Sequence, residues 1–274
     1  MALIASLNDY LASTRQRIEM TRTGARTTVA TGWFSTLDVA GYPGAGVLAG
    51  SSTANGVVPD DTTAGCPHIN GSTGNWYLSK VEFGSTVACR FALFDMLFKA
   101  GAYSFAAGTT TLSAQPSYSG RVLGGTDFTN TEIWIEVSTA FVTGTAWQVQ
   151  VTYTNQAGTA GRTSIISAAQ AAAALTLGKC FQIALAAGDT GVQKIESVIV
   201  TNGGTAMTAG AFNVLVLRRL WSQGRVRVAN DSDIHDMLKT GLPQIWDTSA
   251  LYLLVSADST ASGLPEIVCE VVAG

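Results

Sequence analysis

Hydrophobic and polar residues alternate most clearly over residues 132–153. Ile133, Ile135 and Val137 are apolar at every second position. Trp147, Val149, Val151 and Tyr153 repeat the pattern, with Gln148, Gln150 and Thr152 between them. Alternation of period two places one set of side chains on each face of a strand, so this stretch predicts a β-hairpin with one buried face. A single shift along the chain carries Ile133, Ile135 and Val137 onto Leu251, Leu253 and Val255, and carries Val149, Val151 and Tyr153 onto Ile267, Cys269 and Val271. The hairpin pattern therefore occurs twice. Shorter likenesses accompany it: Lys194-Ile195-Glu196 with Lys80-Val81-Glu82, Phe212 to Leu217 with Phe91 to Phe98, and Gly224-Arg225-Val226 with Gly120-Arg121-Val122.

Around these runs the chain reads as short strands punctuated by turns. Residues 77–83 predict a strand, and residues 89–98 are apolar on both faces, as in a strand covered on two sides. Gly84, Gly101, Gly108 and Gly124-Gly125 mark the connections. The expected fold is all-β: two tandem β-sandwich, jelly-roll-like units over 76–155 and 179–274, joined by a linker over 156–178. An immunoglobulin-type sandwich is disfavoured, because its Cys, Trp, Cys pattern is missing.

The N-terminal 75 residues have a different character. Leu3, Leu7, Leu11 and Ile18 recur at three-to-four residue spacing, which predicts an amphipathic helix over residues 2–22. Its apolar stripe serves either its own domain or a neighbouring subunit. From Gly24 to Asn75 the chain is rich in Gly, Ala, Ser and Thr and reads as an extended arm. Trp33, Phe34, Leu37, Tyr42 and Leu48 are too apolar to lie bare in solvent. The residues expected at intersubunit contacts are therefore Leu3, Leu7, Leu11, Trp33, Phe34, Leu37, Tyr42 and Leu48. A chain beginning near Asn75 is expected to fold without them.

Composition points toward assembly. The 274 residues are enough for two domains, and only 13% are charged against 47% hydrophobic, with 29 glycines. That is too apolar for a disordered chain and sparse in charge for a freely diffusing enzyme, so part of the uncharged surface is expected to meet other subunits. A net charge of −3 argues against direct nucleic-acid binding, which needs a basic surface. No signal peptide and no run of about 18 apolar residues is visible, so the chain is expected to be made in a cytoplasm and to stay out of membranes. Cys66, Cys89, Cys180 and Cys269 lack paired spacing and read as buried thiols.

Candidate chemistry is thin. Asp231, Asp233, His235 and Asp236 are the densest group of metal-type ligands, but Asn230-Asp231-Ser232-Asp233 resembles a helix cap leading into residues 234–238. Cys66 and His68 are too few for a zinc site. Glu132 and Glu136, at alternate strand positions, read as solvated-face carboxylates and not as a glycosidase pair. No GxSxG, GxxxxGK[ST] or HExxH motif occurs. No enzymatic activity, cofactor or metal is expected. A carbohydrate-binding module is the competing reading, with Trp76, Trp147, Trp221 or Trp246 as sugar-stacking platforms.

The run Trp33-Phe34-Ser35-Thr36-Leu37-Asp38-Val39-Ala40-Gly41-Tyr42-Pro43, the Gly- and Thr-rich stretch after it, and the paired β-units ending in Ser256-Ala257-Asp258-Ser259-Thr260 resemble virion structural proteins of tailed bacteriophages. The resemblance implies a non-enzymatic particle component. It points to a head decoration or cement protein that is homo-oligomeric, with a trimer favoured, and that binds the phage major capsid protein. It also admits a tail or neck component. The implied location is the virion, after synthesis in the host cytoplasm.

Overall fold

The computed structural model describes residues 6–71 and 75–274, and almost all of its regular structure is strand. A short helix, α1 (Leu7–Ala12), precedes β1 (Arg15–Arg22), β2 (Trp33–Ser35) and β3 (Gly41–Tyr42). Six strands follow: β4 (Asn75–Ser85), β5 (Cys89–Ser104), β6 (Gly108–Thr111), β7 (Thr131–Val142), β8 (Trp147–Asn155) and β9 (Arg162–Thr163). The remainder comprises β10 (Lys179–Ile183), β11 (Val192–Asn202), β12 (Ala209–Val226), β13 (Asp231–His235), β14 (Gln244–Trp246), β15 (Leu251–Ala257) and β16 (Glu266–Ala273). One helical turn, α2 (Met237–Thr240), lies between β13 and β14.

Six strands close into a barrel in the order β10-β2-β15-β5-β12-β7, with β10 also paired to β7. Two open sheets flank it. The first has the order β13-β4-β16-β1-β3, with β14 also on β4, and the second runs β6-β11-β8-β9. Alternation assigns each barrel residue to one of two faces. Leu93, Leu251, Leu253 and Val255 face outward and pack with Val81, Phe83, Ile267 and Cys269 of the first sheet. Ile133, Ile135, Val214 and Val216 face outward and pack with Val149, Val151, Ile195 and Val198 of the second. Phe94, Trp134, Leu215, Tyr252 and Leu254 point the other way and fill the barrel, together with Leu37, Leu48 and Cys66 from the loop after β2.

The two hairpin patterns take equivalent places. β7 and β15 are barrel strands, while β8 and β16 lie in the flanking sheets. Val137 pairs with Phe212 as Val255 pairs with Phe91. Val149 pairs with Val200 as Ile267 pairs with Phe83, and Tyr153 pairs with Ile195 as Val271 pairs with Leu78. Even the bulges correspond: beside Tyr153 the register steps from Ile195 to Ser197, and beside Val271 it steps from Leu78 to Lys80. Every one of these partners belongs to the other repeat. Each sandwich-like half is thus built from strands of both repeats, and boundaries near 75, 155 and 178 do not separate the sheets.

Several local expectations are corrected. Of the helix expected over 2–22, the part before residue 6 lies outside the described residues, Leu7–Ala12 are helical, and residues 15–22 form a strand in which Ile18, Met20 and Arg22 alternate inward. The period of two within that segment outweighs the three-to-four spacing that Ile18 shares with the leucines. The stretch expected as an arm supplies β1 and β3 to the first sheet and β2 to the barrel. Its later loop is pinned to β5, where Val57 and Lys99 exchange backbone hydrogen bonds of 2.8 and 3.0 Å and the Gly101 N–H donates to the Ser52 carbonyl at 3.0 Å. A Cβ on Gly50 would fall 2.3 Å from the Gly101 carbonyl carbon, so only glycine permits that approach. Lys80-Val81-Glu82 is not the equivalent of Lys194-Ile195-Glu196, since the registers match Val81 to Val198. Gly120 and Arg121 lie in a 3-10 turn, whereas Gly224-Arg225-Val226 ends β12.

Candidate assembly surface

The residues expected to meet a partner divide into two groups. Phe34, Leu37 and Leu48 are buried by this chain's own strands and loop, and Trp33 is half-buried against the same cluster. Leu37 and Leu48, with Trp33 against them, belong to the barrel core, and Phe34 is buried on the opposite face of β2, beside Val255 of β15, so the chain's own fold already covers these side chains. Leu7, Leu11 and Tyr42 are 59%, 62% and 63% exposed, and Leu3 lies outside the described residues.

Helix α1 is well made but uncovered. Ser6 caps it by accepting the Asp9 N–H, and Ser13 ends it in extended backbone. None of its residues is buried. Its link to the body is the Tyr10 hydroxyl, which donates to Glu270 Oε1 at 3.0 Å, with the Arg15 guanidinium over the Tyr10 ring. A helix this short is marginal without tertiary packing. Tyr42 sits at the other end of β1, paired with Thr21 on the sheet edge.

The outer faces of the flanking sheets differ in chemistry. The first carries Arg17, Glu19, Lys80, Glu82, Glu266 and Glu270, the alternates of its buried positions, and Arg17–Glu19 and Lys80–Glu82 pair along their own strands. A groove of about 360 Å³ crosses this face. The second sheet presents Thr109, Thr111, Gln148, Gln150, Thr152, Ser197 and Thr201. Gln148 and Gln150 donate to the Ser167 and Ser164 carbonyls, which fastens the 164–167 segment alongside β8.

Charged groups that the pattern of residues did not disclose are sealed inside. Glu136 has no exposed surface; it accepts from the Tyr252 hydroxyl at 2.6 Å and Asn213 Nδ2 at 2.8 Å, with Lys99 Nζ at 3.4 Å. This corrects its assignment to a solvated face. Asp95, equally buried, lies between Leu93 and Leu97, which face the first and second sheets respectively. It accepts from Arg121 Nη1 at 3.1 Å, Arg218 Nη2 at 3.3 Å and Ser249 Oγ at 2.8 Å. Arg121 also donates to the carbonyls of Thr248 and Met96, and Arg218 to that of Gln244. Burial lowers the Arg218 pKa, with Asp95 acting in the opposite direction. Asn213 Oδ1 and Arg218 Nε are buried without a partner, but both carboxylates are fully engaged and the two networks read as structural joints.

The acidic run near residue 231 is also placed. Asp231, Asp233 and His235 lie on β13, and the helix cap falls later than expected, at Asp236, which accepts the N–H groups of Leu238 and Lys239. Among the described residues no three His, Cys, Asp or Glu side chains are grouped closely enough to hold a metal ion. Glu132 is bound in a bidentate pair by Arg219 at 2.8 and 2.9 Å. Trp76, Trp147 and Trp221 are buried, and Trp246 is half-buried with Arg218 stacked 4.6 Å above its ring. All four cysteines are buried and free.

No protein-family model matches the chain, and no curated protein matches its sequence. Among solved structures it aligns with the infectious bursal disease virus VP2 subviral particle at 11% identity and a TM-score of 0.22, covering 96% of this chain and 80% of that one. It aligns with the T13 particle of the same virus at 9% identity and a TM-score of 0.23, covering 96% and 78%. Likeness at this level carries no argument about fold or function.

Proposed function

We propose that this protein is a non-enzymatic structural subunit of a virus particle, of the tailed-phage kind, and acts as a head decoration or cement protein through contacts with copies of itself and with the shell beneath. The observation that carries the reading is α1, a capped amphipathic helix whose Leu7 and Leu11 are left exposed by the described residues of the chain. Covering Leu7 and Leu11 on a neighbour removes apolar surface from water at about 25 cal/mol per Å², a gain repeated at every symmetry-related contact. The scarcity of charge in the sequence and the Thr-, Gln- and Ser-rich outer face of the second sheet support the same reading. A carbohydrate-binding role loses its stacking platforms, because three of the four candidate tryptophans are buried. A tail or neck position is the remaining alternative.

The test deletes residues 1–12. Since α1 buries nothing, circular dichroism of the shortened chain is expected to match the full one. Sedimentation is expected to show a lower oligomeric state and loss of co-sedimentation with undecorated phage heads. Unchanged association in the deletion and in a Leu7→Asp/Leu11→Asp variant would remove α1 from the proposal.

A further inference from the structure

His235 is the only buried residue of β13, whose other four side chains are exposed. Its ring is edge-on to Phe83 of β4 and Trp221 of β12, with centroids 5.1 and 5.4 Å away. The Trp221 indole N–H donates to His235 Nδ1 at 3.0 Å. An indole nitrogen can only donate, so Nδ1 must present a lone pair and the ring proton must reside on Nε2. The neutral imidazole is built into the contact.

We propose that β13 and α2 form an acid-released flap over the edge of β4, with His235 as its trigger. A proton on Nδ1 would set one N–H against another inside an aromatic cage, and leaving the cage is the only relief. β13 would then lose its one buried side chain, leaving the flap held by its backbone ladder to β4 and by the Thr240 hydroxyl of α2, which donates to the Leu78 carbonyl at 2.8 Å. Its outer side offers no substitute, because Asp231 and Asp233 already accept the N–H groups of Ser232 and Ile234 at 2.9 and 2.8 Å. Release uncovers the backbone edge of β4 from Val81 to Ser85 and the ring of Phe83.

The charged groups around the ring are divided. Asp233 Oδ2 lies 3.7 Å from Nε2 and, with the cap residue Asp236, favours the imidazolium, while Lys239 of α2 opposes it. Phe83 and Trp221 contribute no charge from β4 and β12. Burial is the largest influence, and the folded His235 pKa lies below its ordinary value. The closed flap therefore binds fewer protons than the open one between those two values. Its closure is complete above about pH 6.5 and weakens as pH falls, by roughly tenfold in the opening equilibrium per pH unit until the folded pKa is passed.

The inference rests on the fold and is independent of the assembly reading. Amide hydrogen exchange of the full chain at pH 7.5 and 5.0, corrected for intrinsic rates, tests it. Protection of β13 and α2 is expected to fall at the lower pH, while β11 stays protected. In His235→Gln, which does not titrate, the pH difference is expected to vanish. Equal protection of β13 at the two pH values, or the same loss in His235→Gln, overturns the proposal. Should that variant not fold, the imidazole titration of the native protein decides: a midpoint below about 6.5 is expected, and one at or above it overturns the trigger.

Discussion

The Glu136 carboxylate gathers the hydroxyl of Tyr252, the amide of Asn213 and the ammonium of Lys99 in the barrel. Removing it takes the carboxylate from three buried donors at once, one of them charged, and leaves them only the Val47 and Leu48 carbonyls and the Cys180 thiol. Glu136→Ala is therefore expected to lower unfolding free energy by about 3 to 5 kcal/mol, and Tyr252→Phe by about 1 to 3, read from urea titration. A loss under 1 kcal/mol for Glu136→Ala would mean that solvent reaches the site. The thiols make a second residue-scale case. Burial pushes Cys66 and Cys269 up to about 12 and Cys89 to about 11 from an ordinary 9.0. Each thiol is held protonated in the fold, so its contribution to stability is whole below pH 9 and is lost as pH rises toward 11 to 12. Native protein at pH 8 is expected to resist a thiol-specific reagent and to titrate all four cysteines in denaturant; rapid labelling of the native state would contradict their burial.

At the scale of elements, β1 and β2 decide what can be cut away. β1 pairs along its length with β16, and β2 bridges β10 and β15 to close the barrel. A chain starting near Asn75 lacks both, and Ile18, Met20 and Phe34 go with them. It is expected to be insoluble or unfolded, in contrast to the deletion of residues 1–12. A native dichroism spectrum from the shorter chain would show that the barrel closes without β2. The contrast also marks what a sequence can disclose. β7, β8, β15 and β16 each set one face on a continuous core, so alternation revealed them and even their correct correspondence. β1 has only three buried inward positions and is preceded by a true helical turn, so two periods merged. The buried carboxylates were illegible for a different reason: β7 is covered on both faces, and alternation separates faces without saying which is wet. That Leu7 and Leu11 would be bare and Phe34 covered depended on a loop path that no local pattern encodes.

For the whole molecule, exchange of strands between the repeats removes the option of unfolding one half alone. Ile135 faces the second sheet and Leu253 the first, yet their strands share the barrel through β5 and β12. Ile135→Ala and Leu253→Ala are each expected to cost about 2 to 5 kcal/mol. Both are expected to shift a single cooperative transition, with tryptophan fluorescence and far-ultraviolet dichroism coinciding. Two separated transitions would show that the halves are energetically independent.

The pairing of β1 and β4 with β16 has a consequence for how the protein is made. Residues 15–22 and 75–85 leave the ribosome long before residues 266–273, their partner in the finished sheet. Until β16 arrives, the inward faces of β1 and β4 have no stable place to go, and β5 likewise waits for β15. Contacts this distant along the chain slow folding and lengthen the time that strand edges stay open to wrong partners. Ribosome-bound chains that stop short of residue 266 are accordingly expected to remain protease-sensitive throughout. Protection should come in one late step, when β16 emerges and is laid between β4 and β1.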